Sequence, residues 1–331
     1  MGIKGLSKFL QENIPACIKQ VSLSELFGKT IAIDTNYYMY KYTISTDDFV
    51  SKFGSQYDHL RRYGIKPVYV FDGKPPCEKQ LMLDKRKRVN QKKNVGVTTD
   101  DLKKLKSYFK MNNIVYLECT AEADFICGKL SKEYLIDGCI TDDMDFLALG
   151  CKRMYREYYQ TSSEIMEYNL DEILKTYNTR KFIDICIFLG CDYCDRIYDM
   201  VNRSFAINVF ELFTKYDTLE NVWTYLYMNN MLMFVDDDKS LETKKKWDKA
   251  RIILENETNF DYTSFLPYVK TVFNNLEKLY DTIPCLIDFN FIEKDTEYTQ
   301  IKGAFIKMKA KPNKKLTNVD SPNIFNVLEV F

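Results

Sequence analysis

The stretch GCITDDMDFLALG, residues 138–150, decides the fold: it reads as a short buried strand, Cys139 to Thr141, running into Asp142, Asp143 and Asp145 before apolar residues resume at Phe146. A core strand that ends in acids and passes into a helical stretch marks a β-to-α connection. Apolar, β-branched runs of strand length recur at KTIAIDT (29–35), KPVYVFDG (66–73), NIVYLE (113–118) and KRMYRE (152–157). Helical spacing separates them at 2–12, 36–62, 78–111, 122–135 and 144–149. The alternation predicts an α/β fold with a central, mostly parallel sheet flanked by helices. Past about residue 170 strand signals thin out, and DEILKTYN and RKFIDICIFLG read as helices.

With 331 residues, 46% hydrophobic and 28% charged, the chain has the material for a sizeable core. No apolar run reaches the length of a membrane span, and MGIKGLSKFL has no signal-peptide core, so a soluble, intracellular protein is expected. Leu6 stands where a myristoylation motif needs Ser or Thr. Ten cysteines lie in apolar segments without paired spacing, which suits a reducing compartment and buried thiols. The C-x-x-C at Cys191 and Cys194 has no second pair to complete a zinc site. The lone histidine, His59 in YDHLRRYG, reads as the exposed end of a helix. Serine or cysteine nucleophiles thus have one candidate base, and carboxylates or metals remain for any catalysis.

Overall charge is zero, with 47 basic and 47 acidic residues, but Lys74 to Lys110 holds 12 Lys and Arg against 4 acids. That basic arm is either a solvated helix face, a localisation signal or a nucleic-acid contact. The acids cluster elsewhere. Asp34 ends the first apolar strand, Asp72 the second, Asp143 and Asp145 follow the fourth, and Glu122 and Asp124 open the helix after the third. Ligands bind at the carboxyl ends of strands in open α/β sheets, so these side chains are expected to meet in one cleft. Each alone has a plainer role as a helix cap, a first-turn acid or a turn residue. Together they are costly: two carboxylates about 4 Å apart repel by roughly 4 kcal/mol at an effective dielectric near 20. Oxygen donors with almost no histidine suit Mg²⁺ or Mn²⁺, and two such ions about 3.5–4 Å apart are a known device for phosphodiester hydrolysis.

MGIKGLSKFL, IAIDTNYYMY, GIKPVYVFDGKPP, AEAD, TDDMDFLALG and FLGCDYC resemble, in order and approximate spacing, the motifs of the flap endonucleases, the XPG-type structure-specific 5′ nucleases. The likeness spans about residues 1–195. It implies a PIN-like 5′-nuclease fold with a helical arch and a helical C-terminal region. It also implies a Mg²⁺-dependent enzyme (two ions, Mn²⁺ as a substitute) that cuts branched DNA at 5′ flaps or nicked junctions in replication, repair or recombination. By motif, Asp34, Asp72, Glu122, Asp124, Asp143, Asp145 and Asp192 would be the metal acids. Asp72 and Asp124 are assigned to one ion and Asp143 and Asp145 to the other, while Asp34, Glu122 and Asp192 act mostly through waters. Asp142 falls outside the pattern and reads as a cap or solvated neighbour. Lys79 and Arg86 fall at arch positions that contact the scissile phosphate. Tyr40 matches an aromatic that stacks on a base, although a core aromatic is the plainer reading, and Gly2 matches a glycine kept small beside the substrate.

The implied layout is a nuclease region over 1–170 with the arch at about 76–111, a helical region over 171–300 and a tail over 301–331. Three departures stand out: a short segment between Asp72 and Glu122, another between Asp34 and Asp72, and a helix-two-turn-helix at about 181–213 whose turn, RIYDMVNRSFA, lacks glycine. Family members use glycines there to hold a potassium ion against duplex DNA, so duplex anchoring is open here. SPNIFNVLEVF at the C-terminus lacks the glutamine-led motif that binds the sliding clamp, and that partner is not expected. An RNA-directed nuclease and a non-catalytic nucleic-acid-binding scaffold on the same fold are the alternatives. The Lys, Asn, Tyr and Ile bias fits an AT-rich cell or a large DNA virus, with a nuclear or a cytoplasmic replication site respectively.

Overall fold

Among the described residues seven strands form one sheet in the order β1-β7-β6-β5-β2-β3-β4. They are β1 (Ile18–Ser22), β2 (Thr30–Asp34), β3 (Lys66–Phe71), β4 (Tyr116–Glu118), β5 (Gly138–Ile140), β6 (Arg153–Arg156) and β7 (Glu164–Asn169). This computed structural model describes residues 2–46, 48–75, 79, 96–233 and 235–255, with positions 267, 269, 270 and 272–274. The five strands from β4 through β6 pair in parallel, and β7 and β1 extend one edge antiparallel.

Alternating side chains feed two cores. Ala32, Val68, Val70, Leu117, Cys139 and Met154 face one side, and Ile31, Ile33, Tyr69, Phe71, Ile140 and Tyr155 the other. Helices α2 (Thr35–Ser45), α3 (Phe49–Arg62) and α4 (Thr99–Met111) cover the second face through Tyr38, Phe53, Leu60, Leu105 and Phe109. Phe53 and Tyr69 each pack on Phe109, at ring-centroid distances of 5.9 and 4.6 Å. Helices α1 (Leu6–Asn13), α5 (Ala123–Lys132), the short α6 (Asp145–Ala148) and α8 (Thr179–Leu189) cover the first face, with α7 (Leu170–Thr176) leading into α8. The helical run continues with α9 (Val209–Lys215), α10 (Leu219–Met228) and α11 (Asp237–Leu254), joined by an edge-to-face pair of Trp223 and Trp247 at 5.3 Å. Among the described residues no helix is long and apolar enough to cross a membrane.

Several expectations change in detail. The single helix predicted over 36–62 is two, because Thr46 is extended and the Asp48 carboxylate accepts the Ser51 N–H, starting α3 afresh. Of the helix predicted over 78–111, α4 is the regular described part; it begins with a Thr98–Asp101 capping box and is anchored to the body by Leu105 and Phe109. Residues 80–95, with Arg86 and most of the expected arch, lie outside the described residues, as does the 301–331 tail. Strand β1, at the sheet edge, and β7, paired between β1 and β6, carry weak sequence signals because their apolar residues are few and interleaved with polar ones: Lys19, Gln20 and Glu164 are exposed. His59 is not at an exposed helix end. It is 6% exposed, its Nδ1 lies 2.8 Å from the Tyr158 hydroxyl, and burial, with help from Arg62, lowers its pKa to about 4.

Strand order also places the site. From β2 the chain steps outward to β3 and β4, then returns to the other side of β2 for β5 and β6. Connections leave β2 and β5 in opposite directions, which opens a crevice at their carboxyl ends.

Candidate active site

Each acid is delivered to that crevice by an element end. Asp34 terminates β2 and caps α2: its Oδ1 accepts the Tyr37 N–H at 3.0 Å and its Oδ2 the Thr141 hydroxyl at 2.8 Å. Thr141 Oγ1 in turn accepts the Asp143 N–H at 3.1 Å, tying the ends of β2 and β5 together. Asp72 follows β3; its Oδ1 accepts the Ala123 N–H at 2.8 Å, and Asn36 Oδ1 accepts its backbone N–H at 3.4 Å. Glu122 and Asp124 open α5, and Asp145 opens α6 with its N–H donated to Asp143 Oδ1 at 3.1 Å. Asp192 follows α8. The plainer helix-cap role is therefore real for Asp34, and it coexists with a place in the cluster.

Asp34, Glu122, Asp124, Asp145 and Asp192 are each no more than 8% exposed, Asp143 is half-buried and Asp72 lies open at the rim. Burial first, then the negative charges of Asp72 and Asp143, raise the Asp34 pKa to about 7, and its two hydrogen bonds only partly oppose them. Asp124 is pushed well up, first by burial and then, against Lys79, by Asp143, Asp72 and Asp34. Asp145 is pushed well up by burial and by Asp143 and Asp192. Acids drawn from four strand ends and from α8 thus sense one another, as one crevice requires.

Lys79 sits among them. Its ammonium lies 2.7 Å from Glu122 Oε1 and 3.4 Å from Asp192 Oδ2. Burial lowers its pKa, but Asp124, Glu122 and Asp192 outweigh that and hold it protonated. Asp145 has no such partner. Both of its carboxylate oxygens are buried without a hydrogen bond among the described residues, an arrangement that burial makes expensive unless a cation occupies it.

Among the described residues no three acidic, cysteine or histidine side chains are gathered closely enough to hold a metal ion by themselves. The donors nonetheless fit a hard divalent cation: they are all carboxylates, they outnumber the one lysine among them, and Asp145 presents two unsatisfied oxygens.

The other expected residues fall around this cluster. Gly2 adopts φ +78°, and a Cβ there would stand 2.1 Å from Asp143 Oδ1 and 2.9 Å from the Met144 nitrogen, so the site itself demands glycine. Tyr40 is half-buried on α2, while the aromatics of that helix in the core are Tyr38 and Tyr42. Asp142 is neither a helix cap nor a loose neighbour: it accepts the Tyr37 hydroxyl and the Glu157 N–H, with Lys41 and Arg156 each 3.9 Å away. Sequence reasoning passed over Thr141, Asn36 and Tyr193, whose hydroxyl donates to Glu122 Oε2 at 3.4 Å. All three adjoin a motif acid, which was the available signal.

In the glycine-free turn between α8 and α9, residues 191–208 include no left-handed backbone. A short 3₁₀ turn, Ile197–Met200, and Arg196 fill it instead: Arg196 Nε donates to the Leu189 carbonyl at 2.6 Å, and its guanidinium pairs with Asp199 at 3.0 Å.

The fold is that of the PIN-like 5′ nucleases. Residues 1–93 match the XPG N-terminal domain and residues 113–192 the XPG I-region. Flap endonuclease 1 of Entamoeba dispar is 31% identical over 304 residues, covering 75% of this chain and 80% of that protein. The Glycine max flap endonuclease 1 is 30% identical, covering 79% and 78%. Among solved structures, the catalytic core of Rad2 in complex with DNA substrate aligns with a TM-score of 0.58 at 24% identity over 78% of this chain and 82% of that one. Flap endonuclease-1 from Methanococcus jannaschii aligns at 0.51 and 22% over 81% and 98%. The chain belongs to the XPG-type flap endonuclease family of nucleases.

Proposed function

We propose that this nuclease hydrolyses phosphodiester bonds in branched DNA, at 5′ flaps or nicked junctions, with two Mg²⁺ ions in its acidic crevice and Mn²⁺ as a substitute. The carrying observation is Asp145, a fully buried carboxylate whose two oxygens have no hydrogen-bond partner among the described residues, in a crevice of six further acids. Asp72 and Asp124 would hold one ion and Asp143 and Asp145 the other. Asp34, Glu122 and Asp192, already engaged by Thr141, Lys79 or Tyr193, would act from the surrounding layer. When bound, such ions activate an attacking water and offset charge at the leaving oxygen. The protein's own groups prepare that chemistry: Thr141 fixes Asp34 against the Asp143 backbone, and protonated Lys79 supplies a positive charge for the phosphate, joined in this proposal by Arg86. Tyr40 would stack on a base beside the cut, and Gly2 keeps the approach to Asp143 narrow. Support for a DNA substrate comes from the family and from the DNA complexes of Rad2.

The test is hydrolysis of a 5′-labelled DNA flap by wild type and Asp145→Asn, with Mg²⁺ or with chelator, and with single-stranded RNA as competitor. Mg²⁺-dependent cutting of the flap that disappears in the variant is expected. Equal activity of the two proteins removes the assigned site, a strong preference for RNA moves the substrate, and no cutting of either leaves a binding scaffold.

A further inference from the structure

The C-x-x-C of Cys191 and Cys194 has no role in the chemistry above, yet its two sulfurs lie 3.6 Å apart beside the acidic crevice. Zinc does not account for them, since among the described residues no further acidic, cysteine or histidine groups gather with the pair to hold a metal. What distinguishes the pair is what it encloses. The two residues between the cysteines are Asp192, which contacts Lys79 at 3.4 Å, and Tyr193, whose hydroxyl reaches Glu122 at 3.4 Å. We propose that Cys191 and Cys194 form a reversible redox switch, in which a disulfide across this turn displaces Asp192 and Tyr193 and shuts the nuclease off. It rests on the reading of the crevice as the active site.

The geometry gives the pair an order of reaction. Cys191 is buried at 7% exposure, whereas Cys194 is half-buried and reachable from solvent. A peroxide is the oxidant. The Cys194 thiolate attacks one peroxide oxygen, the O–O bond breaks, and a sulfenic acid forms with release of one water after proton uptake. The Cys191 thiol then attacks the Cys194 sulfur; the S–S bond forms, the S–O bond breaks, and the hydroxyl leaves as a second water with the Cys191 proton. Two thiols have lost two electrons and the peroxide has gained them. A small dithiol reverses the step by exchange. Closing the sulfurs from 3.6 Å to about 2.05 Å tightens the turn around Asp192 and Tyr193. The other thiol contact, between Cys127 and Cys139, lies wholly inside the core and is closed to an oxidant.

The experiment treats the full-length reduced protein with hydrogen peroxide, maps cross-links by mass spectrometry, and follows flap hydrolysis together with the Mg²⁺-induced shift in unfolding midpoint. A Cys191–Cys194 cross-link, a loss of turnover of tenfold or more, a smaller Mg²⁺ shift and recovery with dithiothreitol are expected. Cys194→Ser and Cys191→Ser should cut normally when reduced and resist peroxide. Absence of the cross-link in a protein that cuts when reduced overturns the switch, and so does full activity in cross-linked molecules. A reduced protein that never cuts indicts the nuclease reading instead; the cross-link map and the Mg²⁺ shift then still decide whether the pair closes and disturbs the acids.

Discussion

Asp145 and Asp184 are both carboxylates with almost no exposure, 0% and 1%, and the protein treats them in opposite ways. Asp184, on α8, accepts Arg251 Nε at 2.8 Å on Oδ1, which also lies 2.8 Å from Arg251 Nη2 in an ion pair, and accepts the Leu219 N–H at 3.1 Å on Oδ2, so every oxygen is answered across the helical region. Asp145 receives nothing at either oxygen and faces Asp143 and Asp192. Burial pushes both carboxyls up, but Arg251 and Leu219 pull Asp184 back, whereas Asp145's acidic neighbours push it further. Residue type and burial alone therefore do not separate a structural acid from a functional one. The count of partners does, because an unanswered buried charge persists only where something else repays its cost.

The sharpest way to break this contrast is to neutralise each acid in turn. Asp145→Asn should lower flap hydrolysis by about 10³-fold, the equivalent of several kcal/mol of lost charge stabilisation. Its unfolding free energy without metal should hold or rise, since an uncompensated charge is gone. A variant that is inactive because it has melted, as judged by its urea midpoint, would place Asp145 with Asp184. Asp184→Asn should do the reverse: the Arg251 guanidinium loses its main buried partner, stability drops by about 3 kcal/mol in urea titration, and turnover per folded molecule is unchanged. Glu220 and Asp248, at 3.0 and 2.9 Å from Arg251, keep that loss at the lower end for a broken buried pair.

How far this contrast was legible in the sequence depends on which element one follows. GCITDDMDFLALG announced both the strand and the acids, since a parallel strand buried on both faces is an unbroken apolar run whose end is marked by polar residues. Strand β1 at the edge and β7 beside it did not announce themselves, because short, partly exposed strands such as IKQVS and EIMEYN carry too few apolar residues to show a clear period of two. Asp192 was legible only through a motif. Asp184, in KFIDICIF, looked like an isolated polar residue in an apolar helix, because its partner Arg251 lies 67 residues away and nothing local points to it. Thr141 and Tyr193 offered only their closeness to motif acids as a signal, because a hydroxyl's role is set by which carboxylate the fold brings to it.

Divalent ions sharpen the contrast further. At one hundred times its dissociation constant, a ligand bound only by the folded state stabilises it by about 2.7 kcal/mol. Mg²⁺ should raise the urea midpoint of wild type and of Asp184→Asn by equal free energies of that order, and chelator should reverse both. Asp145→Asn should show less than half the shift, and an undiminished shift would move the ion away from Asp145.

His59 gives the smallest effect and a third way to keep an ionisable group inside. It is held neutral rather than paired: the Tyr158 hydroxyl meets Nδ1, the Tyr63 ring packs edge-on at 5.4 Å, and Arg62 adds an opposing charge. Its pKa falls from 6.5 to about 4, so the unfolded chain binds the proton more tightly than the folded one. The associated stability is complete above pH 6.5 and is lost as pH falls toward 4, by roughly 2 kcal/mol. Unfolding free energies measured at pH 7, 6, 5 and 4 for wild type and His59→Gln should diverge across that window, with the wild type falling more steeply. Parallel curves would mean that His59 takes up its proton alike in the folded and unfolded chain, and that its contact with Tyr158 offsets burial.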